Sequence, residues 1–226
     1  MEKKISLKNK KILVTAGSTW IPIDTVRVIT NIFKGNIGFV IAKTAAELGA
    51  EVTLLLGPSF SVSNLKLPKK LTILRFKYFD DLDKLMTENL KNNKFDAVIH
   101  SAAVSDFKLS KEYKGKIKSD KKLILELVPT IKIVDKLKKI DPSIFLVKFK
   151  LEVGITPEKL KSIAAKSMVQ SDADMIVANI YNPKFSDHEA YIGEKKSASE
   201  KKESFTKVVG RQFIANKVLQ VIHDKN

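Results

Sequence analysis

Apolar residues along this chain alternate between short unbroken runs and sets spaced by three or four. KILVT at 11–15 is such a run and predicts a buried strand, which Ala16-Gly17 breaks. No period governs the stretch through Pro22 to about Asn36, which reads as a long loop. From there Ile37, Val40, Ile41, Ala45 and Leu48 recur at helical spacing, and Gly49 is a natural stop. Glu51–Leu56 is a second run, ended by Gly57-Pro58. Strand, helix and strand over this length make one βαβ unit, which implies a parallel sheet.

The alternation continues to the end. Residues 71–76 predict a strand, and 80–92 a helix that turns Leu82, Leu85, Met86 and Leu90 inward. Residues 95–104 predict a strand running into a loop. Residues 123–128 predict a short strand, followed by a helix to about Lys139. Residues 144–151 predict another strand, and Thr156-Pro157 opens a helix with an N-cap and a proline at its first position. Residues 173–179 predict the last sheet strand. Glu189–Glu194 and 204–209 predict a hairpin with a low-complexity tip at 194–203, and 211–223 a closing helix. The expected fold is α/β: a Rossmann-like, doubly wound, mostly parallel sheet with an appended β-hairpin at about 187–209, in a single domain over 1–226. Ligands of such sheets bind outside the carboxyl ends of the strands. That points to the loops after Thr15, His100, Phe149 and Ala178.

Composition narrows the function classes. The chain has 226 residues, 44% of them hydrophobic, enough for one α/β domain with a real core. No apolar run approaches the roughly 20 residues that span a bilayer. The lysine-rich start is not followed by the apolar stretch of a signal peptide. The expected location is therefore cytoplasmic, with no membrane partner. There is no cysteine, which excludes disulfides, thiolate metal sites and a cysteine nucleophile. The formal net charge is +16. Its lysines are spread along the whole chain without an aromatic-interleaved basic motif, so nucleic acid is not the expected partner. The excess charge suits an enzyme of anionic substrates, whose local concentration it raises.

Candidate chemistry gathers between Lys10 and Pro58. Gly17 follows the first strand, and Gly35 and Gly38 open the first helix. Glycine lets the backbone approach a ligand, and a helix N-terminus offers free N–H groups to an anion. A dinucleotide fingerprint keeps its three glycines within about six residues. Here residues 18–34 intervene, and no Asp or Glu follows Gly57-Pro58 to hold a ribose. Both features count against a nicotinamide-dependent reductase. Tyr191 and Lys195 have the Tyr-x-x-x-Lys spacing of short-chain reductases but fall in the predicted hairpin. The insertion carries Pro22, Asp24, Arg27 and Asn31. Arg27 and Asn31, four apart ahead of a glycine pair, suit a phosphate and a carboxylate or carbonyl oxygen. A salt bridge between Arg27 and Asp24 accounts for the same residues equally well.

At these residues the sequence resembles the phosphopantothenate–cysteine ligases, also called phosphopantothenoylcysteine synthetases. Their opening motif runs T-x-G-G-T-x-x-P-I/D-D-x-V-R-x-I-S/T-N-x-S-S/T-G-x-x-G, and this chain has VTAGSTWIPIDTVRVITNIFKGNIG. SAAVSDF at 101–107, GKIKSD at 115–120, VKFKLE at 147–152 and DMIVAN at 174–179 resemble later family motifs in the same order. The resemblance covers nearly the whole chain and looks like the single-domain form, without a fused flavin decarboxylase. It implies an acyl-nucleotide route to the amide between phosphopantothenate and L-cysteine in coenzyme A biosynthesis. CTP is the implied co-substrate, with ATP possible, and pyrophosphate is released. Mg2+ is expected with the triphosphate, although no carboxylate cluster marks a protein-held metal site. A homodimer is implied, with the 189–209 hairpin as a candidate contact.

The resemblance also implies roles position by position. Asn31, Lys116 and Arg27 match catalytic positions: Asn31 for the acyl-nucleotide carbonyl, Lys116 for the triphosphate charge, Arg27 for the activated carboxylate or a phosphate. Gly17, Gly35, Gly38, Ala102, Ala103 and Asn179 match substrate-binding positions. Ser101, Asp106, Lys116 and Phe149 match nucleotide-binding positions. Departures from the family pattern are Ser18 for glycine, Phe33-Lys34 for two hydroxyl residues, Lys148 for a small residue, and Ile131-Lys132 for Pro-Asp. Lys34 brings a charge where hydroxyls are usual.

Overall fold

The computed structural model describes residues 5–111, 113–120, 122–183, 188–195 and 204–225. Its first half contains β1 (Lys11–Ala16), β2 (Trp20–Pro22), β3 (Val28–Thr30), α1 (Asn36–Glu47), β4 (Glu51–Leu56), β5 (Leu71–Arg75), α2 (Phe79–Asn92) and β6 (Ala97–His100). Then follow β7 (Phe107–Leu109), β8 (Leu127–Pro129), α3 (Val134–Ile140), β9 (Phe145–Val153), α4 (Pro157–Gln170), β10 (Met175–Tyr181), β11 (Glu189–Glu194), β12 (Phe205–Val209) and α5 (Arg211–Asp224).

Eight strands form one sheet in the order β12-β11-β10-β9-β6-β1-β4-β5. The six from β5 to β10 run parallel, and β11 and β12 continue the same sheet antiparallel at one edge. The chain winds from β1 out to β5, then returns to β6 and winds the other way. This is the expected doubly wound order, and its switch point lies between β1 and β6. Successive residues of a strand face opposite sides, so each strand feeds two cores. Ile12, Val14, Leu54 and Ile99 pack with α1 and α5 on one face. Leu13, Leu55, Val98 and Ile176 pack with α2, α3 and α4 on the other. Burial on both faces is why these strands read as unbroken apolar runs.

Other expectations need correction. The stretch from Pro22 to Asn36 is not loop throughout, because β2 and β3 pair antiparallel, Trp20 opposite Thr30. The strand expected at 95–104 stops at His100. The strand expected at 123–128 is not in the sheet: β8 pairs with β7 in a separate two-stranded ribbon. Leu123 and Ile124 are 42% and 73% exposed, so the apolar content of that run does not report burial. β9 and β10 continue to Val153 and Tyr181, which puts Phe149 and Asn179 inside strands. Residues 187 and 196–203 of the hairpin extension and its tip lie outside the described residues. No helix among the described residues is long and apolar enough to cross a membrane.

Candidate functional site

The floor of the site is the switch point, where β1 and β6 end side by side. Beyond β1 the chain turns at Gly17, φ +86°, and it re-enters α1 through Gly35, φ +94°. Those two backbones touch. A Cβ built on Gly35 would lie 2.2 Å from Gly17 N, so no side chain fits. Ser18 Oγ donates to Phe33 O at 2.5 Å and Thr30 Oγ1 to Thr19 O at 3.0 Å, which pinch the neck of the insertion. Gly38 stands elsewhere, in the first turn of α1, where a Cβ would meet Ala16 Cβ at 2.7 Å and Ser101 Oγ at 2.6 Å. Its smallness seats the helix on the ends of β1 and β6. Helix α1 has no side-chain cap and no acidic residue in its first turn, which leaves its N-terminal N–H groups to an anion. Ser101 Oγ is buried there without a hydrogen-bond partner.

The loop after β6 is stitched to the insertion. Ala103 N donates to Gly17 O at 2.9 Å, and Asn31 Nδ2 donates to Ala103 O at 3.0 Å. Thr19 Oγ1 accepts from Ser105 N at 2.8 Å and donates to Ser105 Oγ at 2.9 Å. Asn31 is exposed, and its amide carries a second N–H for a ligand. Beneath the loop, Ala102 N donates to Thr15 Oγ1 at 3.1 Å. Thr15 Oγ1 is also hydrogen-bonded to His100 Nδ1, at 3.1 Å. Burial, then the charge of Lys148, pushes the His100 pKa down from 6.5 to about 4. Lys148 is its cross-strand neighbour. Lys148 is buried as well, and its Nζ donates to Ser167 O at 2.9 Å and Ser171 Oγ at 2.8 Å, at the end of α4.

The far end of the insertion is organised by a buried carboxylate, Asp24. Its Oδ1 accepts from Val26 N and Arg27 N, each at 2.9 Å. Its Oδ2 accepts from Arg27 Nη1 at 2.5 Å and from Ile117 N at 3.1 Å. The Val26 N–H above all, with those of Ile117 and Arg27 and the Arg27 charge, holds the carboxyl below its usual range against the opposing effect of burial. The Arg27–Asp24 salt bridge thus forms. Arg27 nevertheless also lines a cavity of about 480 Å³ with Lys116, Ile117, Lys118, Ser119 and Asp120. Among the described residues, three cations against one carboxylate give that lining a positive balance. Asp106, beyond the loop, pairs with Lys132.

Across the crevice stands a wall. The last residue of β6, His100, pairs with Lys148, yet β9 and β10 stay paired as far as Val153 and Tyr181. Phe149 and Asn179 lie on this projecting ribbon, Phe149 half-buried against the core on the α1 and α5 face. Tyr181 meets Phe33 edge to face, ring centroids 5.3 Å apart, and so ties the wall to the neck of the insertion.

The structure therefore brings Gly17 to Gly35, Gly38 to Ser101, Asn31 to Ala103, and Arg27 to Lys116. It leaves Phe149 and Asn179 on the opposite wall and engages Asp106 with a lysine. Sequence reasoning missed the Asp24–Ile117 tie and the Phe33–Tyr181 contact, which join residues far apart in the chain. It also missed the buried Thr15–His100–Lys148 row, whose one signal was polar residues placed in or at the end of apolar runs. Tyr191 and Lys195 do not converge: Tyr191 Oη donates to Glu189 at 2.7 Å, and Lys195 pairs with Asp172. Among the described residues no group of three or more metal-ligating side chains assembles.

A family model described as the DNA/pantothenate metabolism flavoprotein C-terminal domain matches residues 7–224. The coenzyme A biosynthesis bifunctional protein CoaBC of Thermococcus kodakarensis is 40% identical over 178 residues, covering 77% of this chain and 42% of that protein. Its namesake from Borreliella burgdorferi is 31% identical over 230 residues, covering 98% of this chain and 54% of that one. The chain thus spans about half the length of the curated relatives it matches. A crystal structure of a DNA/pantothenate metabolism flavoprotein from Streptococcus pneumoniae superposes with a TM-score of 0.84 at 30% identity, covering 96% of this chain and all of that one.

Proposed function

Because the chain belongs to the DNA/pantothenate metabolism flavoprotein C-terminal domain family, we propose that it is a ligase domain that joins phosphopantothenate to L-cysteine through an acyl-nucleotide. The carrying observation is that one insertion, residues 18–34, has touching glycine backbones at its base and a cationic cavity at its tip. A phosphorylated acid whose phosphate sits at the glycine base, with a triphosphate at the cationic tip, matches that layout.

The chemistry has two displacements. The substrate carboxylate attacks the α-phosphorus of the nucleoside triphosphate, and pyrophosphate leaves. The cysteine amine then attacks the acyl carbon, loses a proton, and the nucleoside monophosphate leaves. A carboxylate is a poor electrophile, so the protein's part is positioning and charge neutralisation. In this reading the Gly17–Gly35 turn and the α1 N-terminus take the substrate phosphate. Arg27 and Lys116 take the charge of the triphosphate. Asn31, held by Ala103 O, turns its second N–H to the acyl oxygen as that oxygen gains charge. Gly38 and Ser101 set the seat of α1, while Phe149, Asn179, Ala102 and Asp106 line the approach of pantothenate and nucleotide. The donor set does not fit a protein-held metal, Asp120 being the one carboxylate on the cavity among the described residues. Mg2+ is proposed to arrive with the triphosphate, and no step is assigned to it. CTP is the proposed nucleotide and a homodimer the proposed assembly.

Coupled pyrophosphate release with phosphopantothenate, cysteine and either CTP or ATP, side by side, tests the reading. Release with one nucleotide that depends on phosphopantothenate is expected; none with either sinks it. Asn31→Asp is expected to consume nucleotide yet stall before the amide forms, and normal amide output would remove Asn31 from that role.

A further inference from the structure

Lys116 sits on a strap between β7 and β8, described over residues 113–120 and 122–126. The neck of the strap is closed by Ser110 N donating to Glu126 O at 3.0 Å and Ser110 Oγ to Glu126 Oε2 at 2.8 Å. Its middle is poorly anchored. Lys114, Lys116 and Lys118 are exposed, and nothing lies within 4 Å of a Cβ built on Gly115. A segment with so little apolar burial opens easily unless polar contacts hold it. Three hydrogen bonds reach it from the turn at 24–27. Thr25 N donates to Gly115 O at 3.4 Å, Ile117 N donates to Asp24 Oδ2 at 3.1 Å, and Arg27 Nη1 donates to Ile117 O at 3.3 Å. The second is made by Asp24. The third depends on it, because Asp24 fixes the same Arg27 nitrogen. Both bonds to Ile117 therefore pass through one buried carboxylate.

We propose that Asp24 is a positioning residue, a latch that fastens residues 115–120 over the tip of the insertion. It thereby forms the anion cavity of Arg27, Lys116 and Lys118, whose ligand is the phosphate chain of the nucleoside triphosphate. The identity of that ligand rests on the ligase reading; the latch rests on the hydrogen bonds. A carboxylate suits the task because it is acceptor-only and receives four N–H groups here. An amide of the same size turns one pole into a donor, so it must face either the strap or the turn with an N–H where an acceptor is needed.

Limited trypsin digestion and steady-state kinetics of Asp24→Asn test this. Cleavage at Lys114, Lys116 and Lys118 is expected to run about tenfold faster than in the parent, with other sites unchanged. KM for the triphosphate is expected to rise about tenfold while KM for phosphopantothenate stays put. A purely structural Asp24 would speed cleavage at all sites alike and raise neither constant selectively, and that outcome overturns the latch. Should Asp24→Asn fail to fold, Ile117→Pro deletes the strap's own N–H and leaves Asp24 and its turn in place. Faster cleavage at Lys114 and Lys118 is again expected, Lys116 being lost as a site because trypsin does not cut before proline, and unchanged rates at those two overturn the proposal. A parent chain that releases no pyrophosphate removes the ligase reading alone, since the digest still decides the latch.

Discussion

A methyl group added at Gly35 has nowhere to go. The backbone there has φ +94°, and the added carbon would fall 2.2 Å from Gly17 N, a main-chain atom that cannot rotate aside. Gly35→Ala is expected to cost about 3 kcal/mol or more in urea unfolding. Gly115→Ala, φ +74° in open space, carries the conformational cost alone, about 1 kcal/mol. Equal losses would show that the Gly17 contact is not what Gly35 serves. At His100 the argument runs through protons. The free imidazole titrates near 6.5 and the folded one at about 4. Between those values the unfolded chain binds a proton that the fold refuses. Stability is therefore full above pH 6.5 and lost as pH falls toward 4, by about 3 kcal/mol in total. Carboxylates such as Asp24 and Asp141, held below their usual range, add a loss of the same sign at lower pH. The His100 share is read as the difference between parent and His100→Gln in urea midpoints from pH 7 to pH 4.5; parallel curves would remove it.

Helix α1 sets function against stability at the scale of an element. Its uncapped first turn lacks an acidic residue, although an acid there would favour the helix dipole. Asn36→Asp is expected to raise stability by about 0.5 kcal/mol and, on the ligase reading, to raise KM for phosphopantothenate several-fold. A variant that binds the phosphorylated substrate normally would move the phosphate away from α1. Elements also show what the sequence could tell. β1, β4, β6, β9 and β10 were legible because burial on both faces writes an unbroken apolar run. β2, β3, β7 and β8 were not, because pairs of three-residue strands carry no periodicity. Leu123 and Ile124 misled because an exposed ribbon and a core strand share the same residue types. Gly17, Arg27 and Asn31 were singled out as candidates by local spacing. Asp24 was seen as the partner of Arg27, three residues away, but its bond to Ile117 spans 93 residues and left no local mark.

For the molecule as a whole, charge is the property that acts at a distance. A formal net charge of +16 in 226 residues repels itself in the folded state and attracts anions from solution, on the ligase reading its substrates among them. Salt weakens both effects, so stability and catalysis should answer it in opposite directions. Raising KCl from 0.1 M to 1 M shortens the screening length from about 10 Å to about 3 Å. The melting temperature is then expected to rise by a few degrees. On the ligase reading, the ratio kcat/KM for the triphosphate is expected to fall about tenfold, with kcat changed less than about twofold. Neutralising Lys217, on α5 and not among the residues lining the cavity, removes one of 41 basic side chains and leaves the salt slope nearly intact. Arg27→Gln removes a charge inside the cavity and flattens the slope. A salt response that lowers stability and kcat/KM together, or a slope indifferent to Arg27, would mean that the positive field is a surface habit of the chain and no part of how it gathers its substrates.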